Sequence, residues 1–201
     1  LKSCTSVFAH PIRMLHLAPE KNLERVLRRC RNIRYVSADL MSSLASVHTD
    51  ITALSFGDDI FDVVICNHVL EHIPDDRLAM REIIRVLKPG GSAILQVPIA
   101  TSRAATEEAP WITSPSERLR LFGQTDHVRV YAEDYVQRLQ EEGFTVELFS
   151  LSKQNGESYA RYFGLLRDEN IHMARKPSIT TPPRLRGADR LSHSEPVEST
   201  A

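Results

Sequence analysis

The sequence predicts an α/β chain built on a doubly wound, mostly parallel sheet, and three observations carry that expectation. Val63, Val64, Ile65 and Cys66 are continuously apolar, as in a parallel strand covered on both faces. A helical pattern follows, then Pro89-Gly90-Gly91 and a second strand-like run, Ala93-Ile94-Leu95-Gln96-Val97. Strand-like and helix-like segments alternate from Ile12 to Val97. Such alternation implies right-handed crossovers between parallel strands.

Ile12 to Leu17 reads as the first strand. Asn22 to Cys30 reads as a helix, because Leu23, Val26, Leu27 and Cys30 share one face at the i, i+3, i+4, i+7 spacing. Ile33 to Ser37 is the second strand, ending at Asp39, and His48 to Ile51 is a short third. Phe61 to Cys66 is the fourth. Asp75 to Leu87 is a helix with Met80, Ile83, Ile84 and Leu87 as its stripe, stopped by Pro89-Gly90-Gly91. Ser92 to Val97 is the fifth strand.

Residues 99–127 break the pattern. They hold Pro110, Trp111 and Pro115 without a clear period. A stretch of that length without structure of its own is functional or disordered, and it reads as a cover over the substrate side or as a plain surface insertion. Glu133 to Glu142 is a helix with Tyr135, Val136 and Leu139 inward and Gly143 as its stop. Phe144 to Leu151 alternates apolar and polar, which suits a strand near a sheet edge. Asn170 to Arg175 is the last strand. Residues 177–201 carry Pro, Ser, Thr and scattered Arg with almost no large apolar groups, so they are expected to be disordered. The domain is therefore expected over residues 1–176.

Composition excludes several classes. With 201 residues, 42% hydrophobic and 25% charged, the chain suits one globular domain. A formal net charge of −1 gives no electrostatic case for nucleic acid or an anionic membrane. No apolar run approaches the ~20 residues of a membrane span. The three cysteines, Cys4, Cys30 and Cys66, form no Cys-x-x-Cys pair. So sparse and odd a set points to a reducing compartment, hence the cytoplasm, and to no structural zinc. The chain begins at Leu1 rather than Met, so the lack of a visible signal peptide carries little weight. No feature selects an oligomeric state.

Asn67 and His68 interrupt the fourth strand at its carboxyl end, where open α/β sheets bind ligands. The run Phe61-Asp-Val-Val-Ile-Cys-Asn-His-Val-Leu-Glu-His-Ile73, followed by Arg85-Val-Leu-Lys-Pro-Gly-Gly91, resembles the second half of a class I S-adenosylmethionine-dependent methyltransferase core. It is closest in character to the type 11 small-molecule methyltransferases. Within those it resembles a branch with Leu-His-Leu-Ala-Pro-Glu in place of the glycine-rich first motif. The resemblance spans roughly residues 12–176. It implies a Rossmann-like, seven-stranded sheet whose last strand is antiparallel, with S-adenosylmethionine as cofactor and a small-molecule methyl acceptor as partner.

Each cofactor-side residue carries two readings. By resemblance Asp39 accepts hydrogen bonds from the ribose hydroxyls, a task suited to a carboxylate; otherwise it is a turn or cap residue. Asp50 and Ile51 are expected to bracket the adenine, or else to be a turn Asp beside a core Ile. His16 stands where the family has an acid, and Ala18-Pro19-Glu20 replaces the glycine loop. Glycine is used where backbone must approach a ligand with unusual dihedrals. Ala18 is small, and Pro19 fixes its own φ and restricts Ala18, so a rigid turn can stand in. Glu20 either accepts from the cofactor's α-ammonium group or favours the positive end of the next helix. Asn67 and His68 fall near the methionine moiety.

Methyl transfer from a sulfonium is an in-line displacement that requires alignment and, for O–H or N–H acceptors, proton removal. Histidine suits that proton near neutral pH. His68 and His127 are the catalytic candidates, His127 lying in Gly123-Gln-Thr-Asp-His-Val-Arg-Val-Tyr131 after the suspected cover. Its alternative is a loop anchor, with Arg129 paired to a local carboxylate. His68 and His72 stand four apart, a spacing that also suits metal ligands, but that spacing is common by chance and no metal is expected. His72 reads as a packing residue beside Pro74. Trp111, Arg118 and Arg120 are candidates for the substrate side. A methyltransferase is the leading expectation, ahead of a non-catalytic binding module that keeps the fold. A dinucleotide oxidoreductase ranks last, because Gly-x-Gly-x-x-Gly does not follow the first strand.

Overall fold

The computed structural model describes residues 9–43, 45–163 and 170–178. Its main sheet has seven strands: β1 (Ile12–Leu17), β2 (Ile33–Asp39), β3 (Val47–His48), β4 (Phe61–Asn67), β5 (Leu87–Gln96), β8 (Thr145–Phe149) and β9 (Ile171–Arg175). Their order is β3-β2-β1-β4-β5-β9-β8. β9 pairs antiparallel with β5 and with β8, and the remaining pairings are parallel. This is the expected mostly parallel sheet with its last strand reversed.

Both faces are covered, which accounts for the unbroken apolar run in β4. Val64 and Cys66 join Leu15 and Leu17 in one cluster, under α2 (Asp76–Val86) and α4 (Tyr135–Glu141). Val63 and Ile65 join Met14 on the other face, with Leu27 of α1 (Lys21–Leu27) and Ile33. Val26, expected on the α1 stripe, is exposed; the helix is only two turns long and packs on the sheet through Leu27 and the partly buried Leu23.

α2 starts at its Asp75 cap, whose side chain accepts from Leu78 N–H at 2.9 Å. It buries Ala79, Met80, Ile83 and Val86. It ends at Val86, before Pro89-Gly90-Gly91, and Leu87 already belongs to β5. The Pro-Gly-Gly corner instead lies where the β4–β5 register shifts between Phe61 and Val63. Gly90 has φ +78°, and a Cβ on Gly91 would stand 2.8 Å from the Lys88 carbonyl oxygen. The glycines therefore serve an irregular strand rather than a helix end. β3 is shorter and earlier than the expected His48–Ile51.

Residues 99–127 carry more structure than their composition suggests. β6 (Glu107–Glu108) pairs antiparallel with β7 (Arg129–Val130), and α3 (Pro115–Phe122) lies between them in the chain. α3 is set by its ends: Ser114 accepts from Glu117 N–H, Pro115 opens it and Gly123 closes it in the left-handed region. It buries only Phe122, so it has no apolar stripe to read. β8 stops at Phe149, and Leu151 opens α5 (Leu151–Asn155), followed by α6 (Glu157–Phe163). Of the expected disordered tail, 179–201 lies outside the described residues. Among the described residues no helix is long and apolar enough to cross a membrane.

Candidate functional site

The strand order reverses between β1 and β4, which makes their carboxyl ends the switch point of the sheet. The sequence after β1 turns sharply there. Ala18 has φ +47°, a left-handed conformation costly for any residue with a Cβ. Its N–H donates to the Ala38 carbonyl at 2.9 Å, which ties the turn to β2.

The turn aims Glu20 back across the sheet. One Glu20 oxygen lies 2.6 Å from His16 Nε2, and the other accepts from Asn67 Nδ2 at 3.0 Å. Glu20 caps the start of α1 by position, yet its side chain makes no capping bond; it is committed to the cluster. His16 is fully buried, and its Nδ1 lies 2.9 Å from the Tyr35 hydroxyl. Burial lowers the His16 pKa, outweighing the carboxylate beside it. A neutral ring has one N–H, and a carboxylate only accepts, so Nε2–H donates to Glu20 and Nδ1 accepts from Tyr35. Burial works against the Glu20 charge, but hydrogen bonds from Asn67, its own backbone and His16 hold its carboxyl below the ordinary range.

Two buried side-chain atoms lack a hydrogen-bond partner among the described residues, Asn67 Oδ1 and Glu71 Oε2. Both are acceptors at the carboxyl end of β4. A buried unpaired acceptor is destabilising unless a ligand donor satisfies it.

Asp39 ends β2, and its Oδ1 accepts from Met41 N–H and Ser42 N–H, each at 2.7 Å. Asp50 Oδ1 accepts from the Thr52 N–H and hydroxyl at 2.8 and 2.7 Å, which lowers its pKa. Both are therefore turn aspartates, and a carboxylate with one oxygen so engaged keeps capacity for further donors. Ile51 is buried in the core.

His68 has φ +53° and stands 59% exposed, with Nδ1 3.5 Å from Glu71 Oε1. His127 is buried, its ring centroid 4.7 Å from that of His72 in an edge-to-face contact. Burial lowers its pKa, helped by His72 and opposed by Glu71. His127 and Glu71 line an open cavity of about 210 Å³ with Pro98, Phe122, Arg129 and Tyr131. Arg129 is buried and paired, donating to Glu108 at 3.1 Å and to the Leu70 and Pro74 carbonyls at 2.7 and 2.9 Å. Arg118 donates to the Ile112 carbonyl. Trp111 is 76% exposed.

Sequence reasoning passed over Tyr35 and gave Glu71 no role. Glu71 sits between a recognised Leu and His, but only the tertiary fold reveals a buried carboxylate whose Oε2 has no hydrogen-bond partner among the described residues. It also missed a charged cluster at the start of α2: Asp76 accepts from Arg138 at 2.6 and 2.7 Å and from the Tyr131 hydroxyl at 2.6 Å.

A parallel sheet with one reversed strand and a polar cluster at its switch point is the class I methyltransferase architecture. Residues 14–95 match the family model described as a methyltransferase domain. By fold, the chain shares the architecture of S-adenosylmethionine-dependent methyltransferases. It is 31% identical over 128 residues to the 27-O-demethylrifamycin SV methyltransferase of Amycolatopsis mediterranei, covering 64% of this chain and 43% of that protein. It is 43% identical over 49 residues to the demethylmenaquinone methyltransferase of Clavibacter sepedonicus, covering 24% and 20% respectively. The chain thus spans less than half the length of these curated relatives. An S-adenosylmethionine-dependent methyltransferase from Mesorhizobium loti shares the fold at TM-score 0.55 and 15% identity, over 87% of this chain and 94% of that one. The 1,6-didemethyltoxoflavin-N1-methyltransferase of Burkholderia thailandensis, solved with its substrate and S-adenosylhomocysteine, does so at TM-score 0.56 and 15% identity, over 85% and 73%.

Proposed function

We propose that this protein transfers the methyl group of S-adenosylmethionine to a small-molecule acceptor. The observation that carries the reading is the pairing of Glu20 with Asn67 across the switch point, with Asn67 Oδ1 buried and unpartnered beside it. Two acceptors converging there suit the α-ammonium group of the cofactor's methionine moiety, which has only donors to offer. His16 holds Glu20 in place from below. Ala18 and Pro19 form the rigid turn that brings backbone close to the ligand. Asp39 takes the ribose hydroxyls, and Asp50 with Ile51 brackets the adenine. The cofactor supplies an electrophilic methyl on a sulfonium.

The cavity lined by Glu71 and His127 lies beyond β4 and β5 and suits the acceptor, with residues 99–127 as its cover. Held by Glu20, Asn67 and Asp39, the cofactor would supply its sulfonium methyl to the acceptor's lone pair. His68 or His127 receives the acceptor's proton. The small-molecule class is supported by the demethylrifamycin and demethylmenaquinone enzymes among the relatives, and the sparse cysteines support the cytoplasm as its location.

Calorimetric binding of S-adenosylmethionine and S-adenosylhomocysteine tests this reading, with Asp39→Ala as control. The expected result is micromolar binding that weakens tenfold or more in the variant, since lost charge-assisted hydrogen bonds cost ~1.5–3 kcal/mol. No binding by the folded protein would favour a non-catalytic binding module on the same fold.

A further inference from the structure

We propose that Glu71, His72 and His127 form a binding site for one divalent transition-metal cation of the zinc class. His68 and His72 are the pair that sequence spacing suggests for a metal. The His68 side chain is instead 59% exposed and is not one of the three groups that converge. His72 meets His127, which the chain delivers from beyond α3, two residues before β7. One ligand atom from each of Glu71, His72 and His127 lies within 4.8 Å of the other two.

The second observation is Glu71 itself. Its side chain is 3% exposed, and Oε2 has no hydrogen-bond partner among the described residues. A carboxylate oxygen buried in this way needs a donor or a cation. Two imidazoles and one carboxylate are a donor set that zinc accepts readily, with a fourth position left for water or substrate.

Zinc bonds of ~2.0–2.2 Å place tetrahedral ligands roughly 3.4 Å apart, so groups within 4.8 Å of one another must close by up to about 1.4 Å. His72 is the most exposed of them, with its Nδ1 3.3 Å from the Asp126 carboxylate at the rim, and it makes that movement. The bound cation would pin the 123–127 segment to the turn after β4. Because Glu71 and His127 line the cavity, the open position would face the acceptor. His127 would then be a ligand, and proton removal would fall to His68.

The test uses the tag-free full chain, stripped with chelator, titrated with Zn²⁺ by calorimetry and with Co²⁺ by visible absorption. One site per chain at micromolar Kd or tighter is expected, with Co²⁺ bands of a four- or five-coordinate centre. His127→Ala and Glu71→Gln should each weaken Zn²⁺ at least tenfold, while His48→Ala, an exposed histidine on β3, leaves it unchanged. Circular dichroism checks that the variants fold. Absence of binding, or binding indifferent to both site variants, would overturn the site. S-adenosylmethionine affinity measured on the same samples reads the methyltransferase proposal separately: zinc failing while the cofactor binds sinks only the metal site.

Discussion

Glu20 and Asn67, 47 residues apart in sequence, meet at 3.0 Å across the carboxyl ends of β1 and β4. The contact exists because β1 and β4 are parallel neighbours in register, Leu17 opposite Cys66, so the residues just beyond each strand face one another. It also explains why a chain without the glycine loop has a polar cluster at the switch point. Glu20→Ala should weaken S-adenosylmethionine binding about tenfold, the loss of one charge-assisted hydrogen bond. Its side chain is 45% exposed, but its loss leaves the buried His16 Nε2–H without an acceptor, so stability should fall as well, by about 1–3 kcal/mol. Calorimetry beside a thermal melt separates the two. Unchanged affinity would remove Glu20 from the ligand.

Ala18 is held at φ +47° by the tie of its N–H to Ala38. A β-branched side chain fits that region poorly. Ala18→Val should therefore destabilise the fold by about 1–2 kcal/mol, read as a lower urea midpoint. Ala18→Gly should be tolerated. Equal midpoints for the valine variant and the wild type would mean that the turn relaxes freely.

Asp76 is buried and holds Arg138 through two hydrogen bonds while accepting from Tyr131. Arg129 lies 3.7 Å away. Removing one partner of a buried pair leaves the other charge uncompensated, at a cost of roughly 3–5 kcal/mol. Asp76→Ala should lose about that much in equilibrium unfolding. A loss under about 1 kcal/mol, the scale of a surface pair, would show that water screens the cluster.

Acid should destabilise the protein through His172. Burial against Tyr135 lowers its pKa to about 4 from an ordinary 6.5. Between those values the unfolded chain binds more protons than the folded one, so stability rises with pH in that window. The contribution is fully present above about pH 6.5 and is lost as pH falls toward 4, by up to about 3 kcal/mol. Urea unfolding near pH 7 and near pH 5 measures the slope, and His172→Gln should flatten it. A flat wild-type profile would contradict the assignment.

Residues whose neighbours are local were legible. The apolar run of β4, the Asp75 start of α2 and the late edge strand could be read because period and capping are properties of adjacent residues. α3 could not, since its stability comes from Ser114, Pro115 and Gly123 at its ends rather than from an apolar face. The Pro-Gly-Gly corner was misread as a helix stop because proline and glycine mark chain irregularity without saying of which element.

The same division runs through the site. The sequence by itself determined the class of fold and nominated His16, Glu20, Asn67 and His127, because strand ends in a doubly wound sheet are where polar residues need a reason. Only the tertiary structure decided that Glu20 spans from His16 to Asn67 rather than capping α1. It alone turned His68 outward and brought His127 to His72 beside the buried Glu71. Those are relations between residues tens of positions apart, set by strand order and by the hand of a single turn, and no local pattern encodes them.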